Sequence, residues 1–262
     1  MNRKFKLANI LFAVLFTALY AASATKTMAD DGMESSEIKG FSKVWLNSSS
    51  DVRISMGNIF SVVMTGDKQK IDNTILALKR DTLIIKHKEE NQSHNYDNDQ
   101  LMLVTIVMPN IEEVKINGSG NVSITGVDSE ELDLAINGSG DLNVEGRSEE
   151  LELSINGSGD ISMDMIDGKN VGVSIHGSGN VTFGGGTCQS FKISIYGSGD
   201  VDADKIQCID VDVSVVGSGN ISVYASNSVT LDSRGSGGVD VFGKPKSVND
   251  KKAKRKSSLI IR

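Results

Sequence analysis

Between Gly118 and Gly237 the chain writes Gly-Ser-Gly seven times. The leading glycines, Gly118, Gly138, Gly157, Gly177, Gly197, Gly217 and Gly235, are spaced 20, 19, 20, 20, 20 and 18 residues apart. A fixed period of this length restricts the fold to a stack of similar units, each of which buries its apolar face only against its neighbours.

Aligned on that glycine, the units form columns. Two residues before it stand Ile116, Ile136, Ile155, Ile175, Ile195, Val215 and Ser233, and four before it Val114, Leu134, Leu153, Val173, Ile193, Val213 and Leu231. Four after it stand Val122, Leu142, Ile161, Val181, Val201, Ile221 and Val239. Ser, Asp, Asn, Lys and Thr fill the places between. The alternation has a period of two, so each unit reads as two short strands facing one core.

Two all-β architectures fit. In a parallel β-helix, or solenoid, Gly-Ser-Gly is the corner between strands that each pair with the equivalent strand one coil on, about 4.8 Å away. In an antiparallel meander it is a three-residue hairpin loop. A one-layer meander would leave its apolar face in water, whereas the solenoid closes its own core and explains why like stacks on like. The solenoid, with coils of about 20 residues, is therefore the expected fold. The first glycines and their partners Gly120, Gly140, Gly159, Gly179, Gly199 and Gly219 are then structural turn residues, at backbone angles that a side chain resists. The serine between them is expected to satisfy turn backbone groups through its hydroxyl. Asn121, Asp141, Asp160, Asn180, Asp200 and Asn220 suit the turn exit for the same reason.

Residues 38–110 lack this period and read as irregular coils that cap the first edge. Two strands are expected in "SSDVRISMGNIFSVVMTGD", a helical turn in "DKQKIDNT", a hairpin around Arg80-Asp81, a polar loop over 92–100 and a buried strand in "LMLVTIVMP". Residues 111–243 form the regular solenoid. Residues 244–262 are a basic segment that aligns as a degenerate last coil, with Ile260 in the column of Val239. Its lysines would also block edge-to-edge pairing.

The N-terminus carries Arg3, Lys4 and Lys6, then the apolar stretch Leu7–Ala22 and a small-x-small site at Ala22–Ala24. This pattern predicts a signal peptide over 1–24, followed by a flexible leader over 25–37. No second apolar run exists, so no transmembrane span is expected in the mature chain. Thr25–Gly243 holds 16 basic and 33 acidic side chains, against eight basic and one acidic in Lys244–Arg262. A body this acidic argues against nucleic acid as a partner.

The run "FSKVWLNSSSDVRISMG…FSVVMTGD…DTLIIKHK…MLVTIVMPNIEEVKINGSGNV", followed by serial "GSGD/GSGN" units, resembles the autotransporter adhesin head domain family, also called the head GIN domain. The match covers roughly Gly40–Arg262. The resemblance implies a β-helix in an exported bacterial protein, a role in cell adhesion and no catalytic residues. Nothing after Gly243 is long enough for the translocating β-barrel of autotransporters, so self-secretion is not expected.

Few side chains suggest chemistry. Cys188 and Cys208 both stand eleven residues after their marker glycine, so a solenoid stacks them within the Cα range of a disulfide, roughly 4.4–6.8 Å, and export would allow its oxidation. Asp200, Asp202 and Asp204 resemble part of a calcium loop but lack its Gly and Glu, with Lys205 and Val211 in those places; they read as a solvated face, and no metal site or cofactor is expected. The residue before each marker glycine drifts through Asn117, Asn137, Asn156, His176, Tyr196, Val216 and Arg234. Facing outward, these would form a varied edge, with His176, Tyr196 and Arg234 its candidate binding residues. No nucleophile–base pair or clustered carboxylates stand out. The sequence thus points to a non-enzymatic, structural or adhesive protein of the envelope of a Gram-negative-type bacterium, periplasmic or on the outer surface. Its candidate partners are host or envelope glycans or proteins. The alternative is a periplasmic polysaccharide-binding or polysaccharide-active β-helix.

Overall fold

The computed structural model describes residues 31–88, 102–251 and 259–262. The signal peptide, the polar loop and the lysine-rich run 252–256 lie outside the described residues. What forms is a parallel β-solenoid, with successive coils bridged in register about 20 residues apart.

The first end is built from strands that leave the regular path. β1 (Asp31–Ser36) pairs antiparallel with β4 (Ser61–Asp67). Between them in sequence lie β2 (Lys43–Asn47) and β3 (Asp51–Met56). A short helix, α1 (Lys68–Asp72), follows β4, N-capped by the Asp67 side chain on the Lys70 N–H. β5 (Thr74–Lys79) and β6 (Thr82–His87) form the hairpin expected around Arg80-Asp81, and Arg80 holds a positive φ of 57°. β7 (Met102–Met108) is the buried strand. β4 and β5 run antiparallel to their neighbours β7 and β6, which closes the parallel stack at this end. The leader expected over 25–37 is corrected here: residues 31–36 form β1, because the free edge of β4 offers a ladder of unpaired backbone groups.

The stack order differs from the chain order. β2 and β3 lie between β6 and β7 on one side and β8 (Glu113–Ile116) and β9 (Val122–Gly138) on the other. Lys43–Met56 therefore supplies two flats of a coil, and the corner between them is Ser48-Ser49-Ser50 rather than Gly-Ser-Gly. A Cβ on Gly118 would meet the Ser48 carbonyl oxygen at 2.7 Å, and one on Gly120 the Ser50 carbonyl oxygen at 2.1 Å.

The regular coils continue through β10 (Leu142–Gly157), β11 (Ile161–Met163), β12 (Ile166–Gly177), β13 (Val181–Phe183), β14 (Gly186–Gly197), β15 (Val201–Gly217) and β16 (Ile221–Gly235). Each has three flats, not the two expected. In β15 the buried positions run Val201, Ala203, then Ile206, Cys208, then Val211, Val213, Val215. The two steps of three residues mark two corners besides Gly-Ser-Gly. The extra flat escaped the sequence because its inward residues, Val127, Ser148, Ile166, Cys188, Ile206 and Ala225 among them, mix five residue types, and each corner shifts the period-two parity.

The last coil is β17 (Val239–Phe242), β18 (Ser247–Asp250) and β19 (Leu259–Ile261). Its register corrects the alignment by one residue: Leu259 stacks on Val239, and Ile260 on the outward-facing Asp240. A slip of one residue exchanges the two faces of a strand, so Ile260 points out.

Candidate binding surface

The Gly-Ser-Gly corner is held by backbone contact. The Ser139, Ser158, Ser178, Ser198 and Ser218 N–H groups donate to Gly118, Gly138, Gly157, Gly177 and Gly197 carbonyls at 2.8–3.0 Å. The cross-coil bond therefore comes from the serine main chain, where a hydroxyl contact was expected. Both glycines face a carbonyl oxygen one coil below, and most of the first ones carry an additional angular constraint. Gly138, Gly157, Gly177, Gly197 and Gly217 hold φ between 138° and 156°, a region that disfavours side chains. Gly120, Gly140, Gly159, Gly179, Gly199 and Gly219 are not positive; there a Cβ would fall 2.0–2.1 Å from a carbonyl oxygen one coil below. The turn-angle expectation is thus corrected for the second glycine and for Gly118, which are fixed by close approach.

Two side-chain ladders flank the corner. On its exit side, Asp51 Oδ1 accepts the Asn121 N–H, Asn121 Oδ1 the Asp141 N–H and Asp141 Oδ1 the Asp160 N–H. The relay continues from Asp160 to Asn180, Asp200, Asn220 and the Gly238 N–H, at 2.6–3.1 Å. Asp200 is thus occupied in the ladder, while Asp202 faces solvent. On the entry side, the Asn117, Asn137 and Asn156 amides donate to Asn47, Asn117 and Asn137 at 2.7–2.9 Å. The sequence held a signal for the first rung, since Asn47-Ser-Ser-Ser-Asp51 repeats the outline of Asn-Gly-Ser-Gly-Asn.

The entry ladder runs on into His176 and Tyr196. Their rings stack at 5.2 Å with 6° between planes. Each thereby hides one face and presents its edge. Val216 separates this pair from Arg234, which turns back to Asp232 at 3.3 Å. The structure thus brings together two of the three candidate edge residues.

Beside this ridge the outward column is small: Ala135, Ser154, Ser174, Ser194 and Ser214 stack in register. The next outward column is Glu113, Asp133, Glu152, Gly172, Lys192 and Asp212. A low column between two taller ones makes a furrow along the solenoid axis, about 20 Å long at ~4.8 Å per coil. Trp45 and Lys115 close one end of the floor: the indole N–H donates to Glu113 at 2.6 Å, and the ammonium lies 5.5 Å from the ring centre. The Asp232–Arg234 pair closes the other. Midway, a cavity of about 610 Å³ is lined by Asp133, Glu152, Gly172, Ser174, Lys192 and Ser194, among others, and the Glu152 carboxylate lies over the bare Gly172. Burial pushes the Asp133 carboxyl above its ordinary range, and the Glu113 charge adds to this. Burial likewise raises Glu152, with the Asp133 charge acting the same way and Lys192 opposing it.

Cys188 and Cys208 stand on the extra flat, away from the furrow, and are joined by a disulfide with 4.4 Å between Cα atoms. Among the described residues no group of His, Cys, Asp and Glu is arranged to hold a metal ion, and no helix is long and apolar enough to cross a membrane.

The family model described as "Putative auto-transporter adhesin, head GIN domain" matches residues 40–162 and again 134–245. No curated protein matches the chain. Several solved structures share the fold. A putative lipid binding protein from Parabacteroides distasonis superposes with a TM-score of 0.74 at 22% identity, covering 88% of this chain and 95% of that one. A putative adhesin from Parabacteroides merdae gives 0.75 at 15% identity, with the same coverages. A putative adhesin from Bacteroides fragilis gives 0.60 at 20% identity, covering 84% and 91%.

Proposed function

Given that the chain belongs to the family described as "Putative auto-transporter adhesin, head GIN domain", we propose that it is an exported, non-enzymatic envelope or surface solenoid whose furrow binds an extended neutral polysaccharide. The observation that carries this is the furrow's periodicity. A serine hydroxyl recurs once per coil along the floor, and the ridge beside it presents one polar side chain per coil, Asn137, Asn156, His176 and Tyr196 in turn. An extended β-1,4-linked glycan offers hydroxyls at nearly the same interval, so donors and acceptors stay in phase over several sugars. The stacked rings of His176 and Tyr196 expose edges, which suits hydrogen bonding rather than sugar stacking. Because the furrow is preformed on a rigid stack, little ordering opposes binding.

The test is affinity electrophoresis of the protein in gels containing soluble neutral β-1,4-glucan or mannan, together with protease shaving of intact cells. We expect retardation by at least one glycan, lost when Ser174→Trp fills the furrow, and release of peptides from unbroken cells. Migration unchanged by either glycan, or equal retardation of Ser174→Trp, refutes the reading.

A second reading has one observation in its favour. Asp133 and Glu152 are neighbouring carboxyls with raised proton affinity in the same cavity. Glycoside hydrolysis, however, needs two carboxyls on opposite sides of the scissile bond, and these stand side by side on one wall. Release of reducing ends from either glycan, abolished by Glu152→Gln, would favour a polysaccharide-active protein instead.

A further inference from the structure

The two ends of the solenoid are finished differently. At the first end antiparallel strands and α1 cover the stack. At the last end β18 pairs only with β16 and β19 only with β17, so among the described residues their outer edges carry no strand. Val248 and Ile261 continue inward columns, yet with nothing stacked above them they are 42% and 50% exposed. Ile260 faces out and is 51% exposed. Around these apolar groups stand Lys244, Lys246 and Lys251, all exposed, while Arg262 is held by Asp240 at 2.8 Å. The charge on this end opposes the rest of the chain: its described residues include Lys244, Lys246, Lys251 and Arg262 against Asp250 alone, whereas Thr25–Gly243 carries 16 basic and 33 acidic side chains.

We propose that this tip docks the protein on an anionic lipid surface, with the solenoid standing away from it. Exposed lysines beside exposed aliphatic side chains match a headgroup region in which anionic charge lies over the start of the acyl layer. The acidic flanks are repelled by the same surface, so only the end can approach. Docking end-on leaves the furrow, which runs along the axis, free in solvent. A second copy joined tip to tip would bring two basic ends together, which charge disfavours. The tip's open strand edges remain in the wet headgroup region, where water satisfies their backbone groups.

Edge lysines also keep sheet edges from pairing with other chains, and the test separates the two roles. The protein, purified as the cells process it, is sedimented with vesicles of phosphatidylcholine alone or mixed equally with phosphatidylglycerol. Wild type is expected to sediment with the anionic vesicles at low salt and to be released at high salt. The triple variant Lys244→Glu, Lys246→Glu, Lys251→Glu still guards the edge with charge, so it stays monomeric. Its vesicle partitioning should nonetheless fall about a hundredfold or more, since each such lysine is worth about fivefold. Ile260→Ser with Ile261→Ser should weaken binding while keeping its salt dependence. Ser174→Trp should sediment like wild type, so failure of the glycan reading and of this one remain distinguishable. Equal sedimentation with neutral and anionic vesicles, or a triple variant that binds like wild type, overturns the proposal. So does tip-dependent capture of an acidic protein with no vesicle binding.

Discussion

Gly177→Ala tests the corner most directly. The residue holds φ of +138°, and a Cβ there would lie 2.1 Å from the Gly157 carbonyl oxygen and 3.2 Å from the Gly157 nitrogen. Those are backbone atoms of the coil below, so no side chain can swing aside. Forcing a non-glycine residue into this region costs about 1–3 kcal/mol. Overpacking against the backbone adds about 1–3 kcal/mol. The 2.9 Å bond from the Ser178 N–H to Gly157 O passes through the same spot and contributes about 1 kcal/mol when lost. The expected destabilisation is therefore about 3–7 kcal/mol, measured by urea unfolding with far-ultraviolet circular dichroism. Hydrogen exchange should show the opening centred on the coils of β10, β12 and β14. Gly179→Ala separates the causes: its φ is not positive, but its Cβ would meet Gly159 O at 2.1 Å, so only the overpacking part applies. Ser178→Ala should change stability by less than about 0.5 kcal/mol, as for most surface substitutions. If Gly177→Ala unfolds within about 0.5 kcal/mol of wild type, the reasoning from angle and close approach is wrong.

Three other outcomes follow from the same geometry. Asp160→Ala removes an acceptor that holds both the backbone N–H and the side-chain amide of Asn180, at 2.7 and 3.0 Å; it should lower stability by about 1–2 kcal/mol in urea unfolding, and Asp160→Asn should restore most of it. Mass spectrometry of the non-reduced protein should find Cys188 linked to Cys208, and reduction should lower stability by about 3 kcal/mol for a closed loop of this length; two free thiols would refute the pairing. Glu152 binds its proton more tightly folded than unfolded, so its contribution to stability falls as pH rises from the ordinary carboxylate range through the raised value. Glu152→Gln should accordingly raise the thermal midpoint at neutral pH, with the gap closing as the pH is lowered towards that range.

Residues 111–243 disclosed their repeat in the sequence alone, because stacking puts equivalent side chains in one environment. A single requirement repeated at every coil leaves a column that is visible in one chain. The corner glycines, the apolar columns and the stacking of Cys188 on Cys208 are all of this kind. Other features depend on where the chain returns in space. The stretch Lys43–Met56 is inserted between segments that are distant in sequence, and its serine corner breaks the motif while keeping the outline. The extra flat is too short and too varied at its inward positions to show a period. β1 forms only because β4 presents a bare edge, a fact of pairing rather than of the residues 31–36. Ile260 lies outside and Leu259 inside because register at a frayed last coil is set by what stacks beneath it. The furrow is likewise a tertiary feature. Serine, asparagine and glycine columns are ordinary turn and surface residues when read along the chain, and they become one straight channel only once the coils are laid on top of each other.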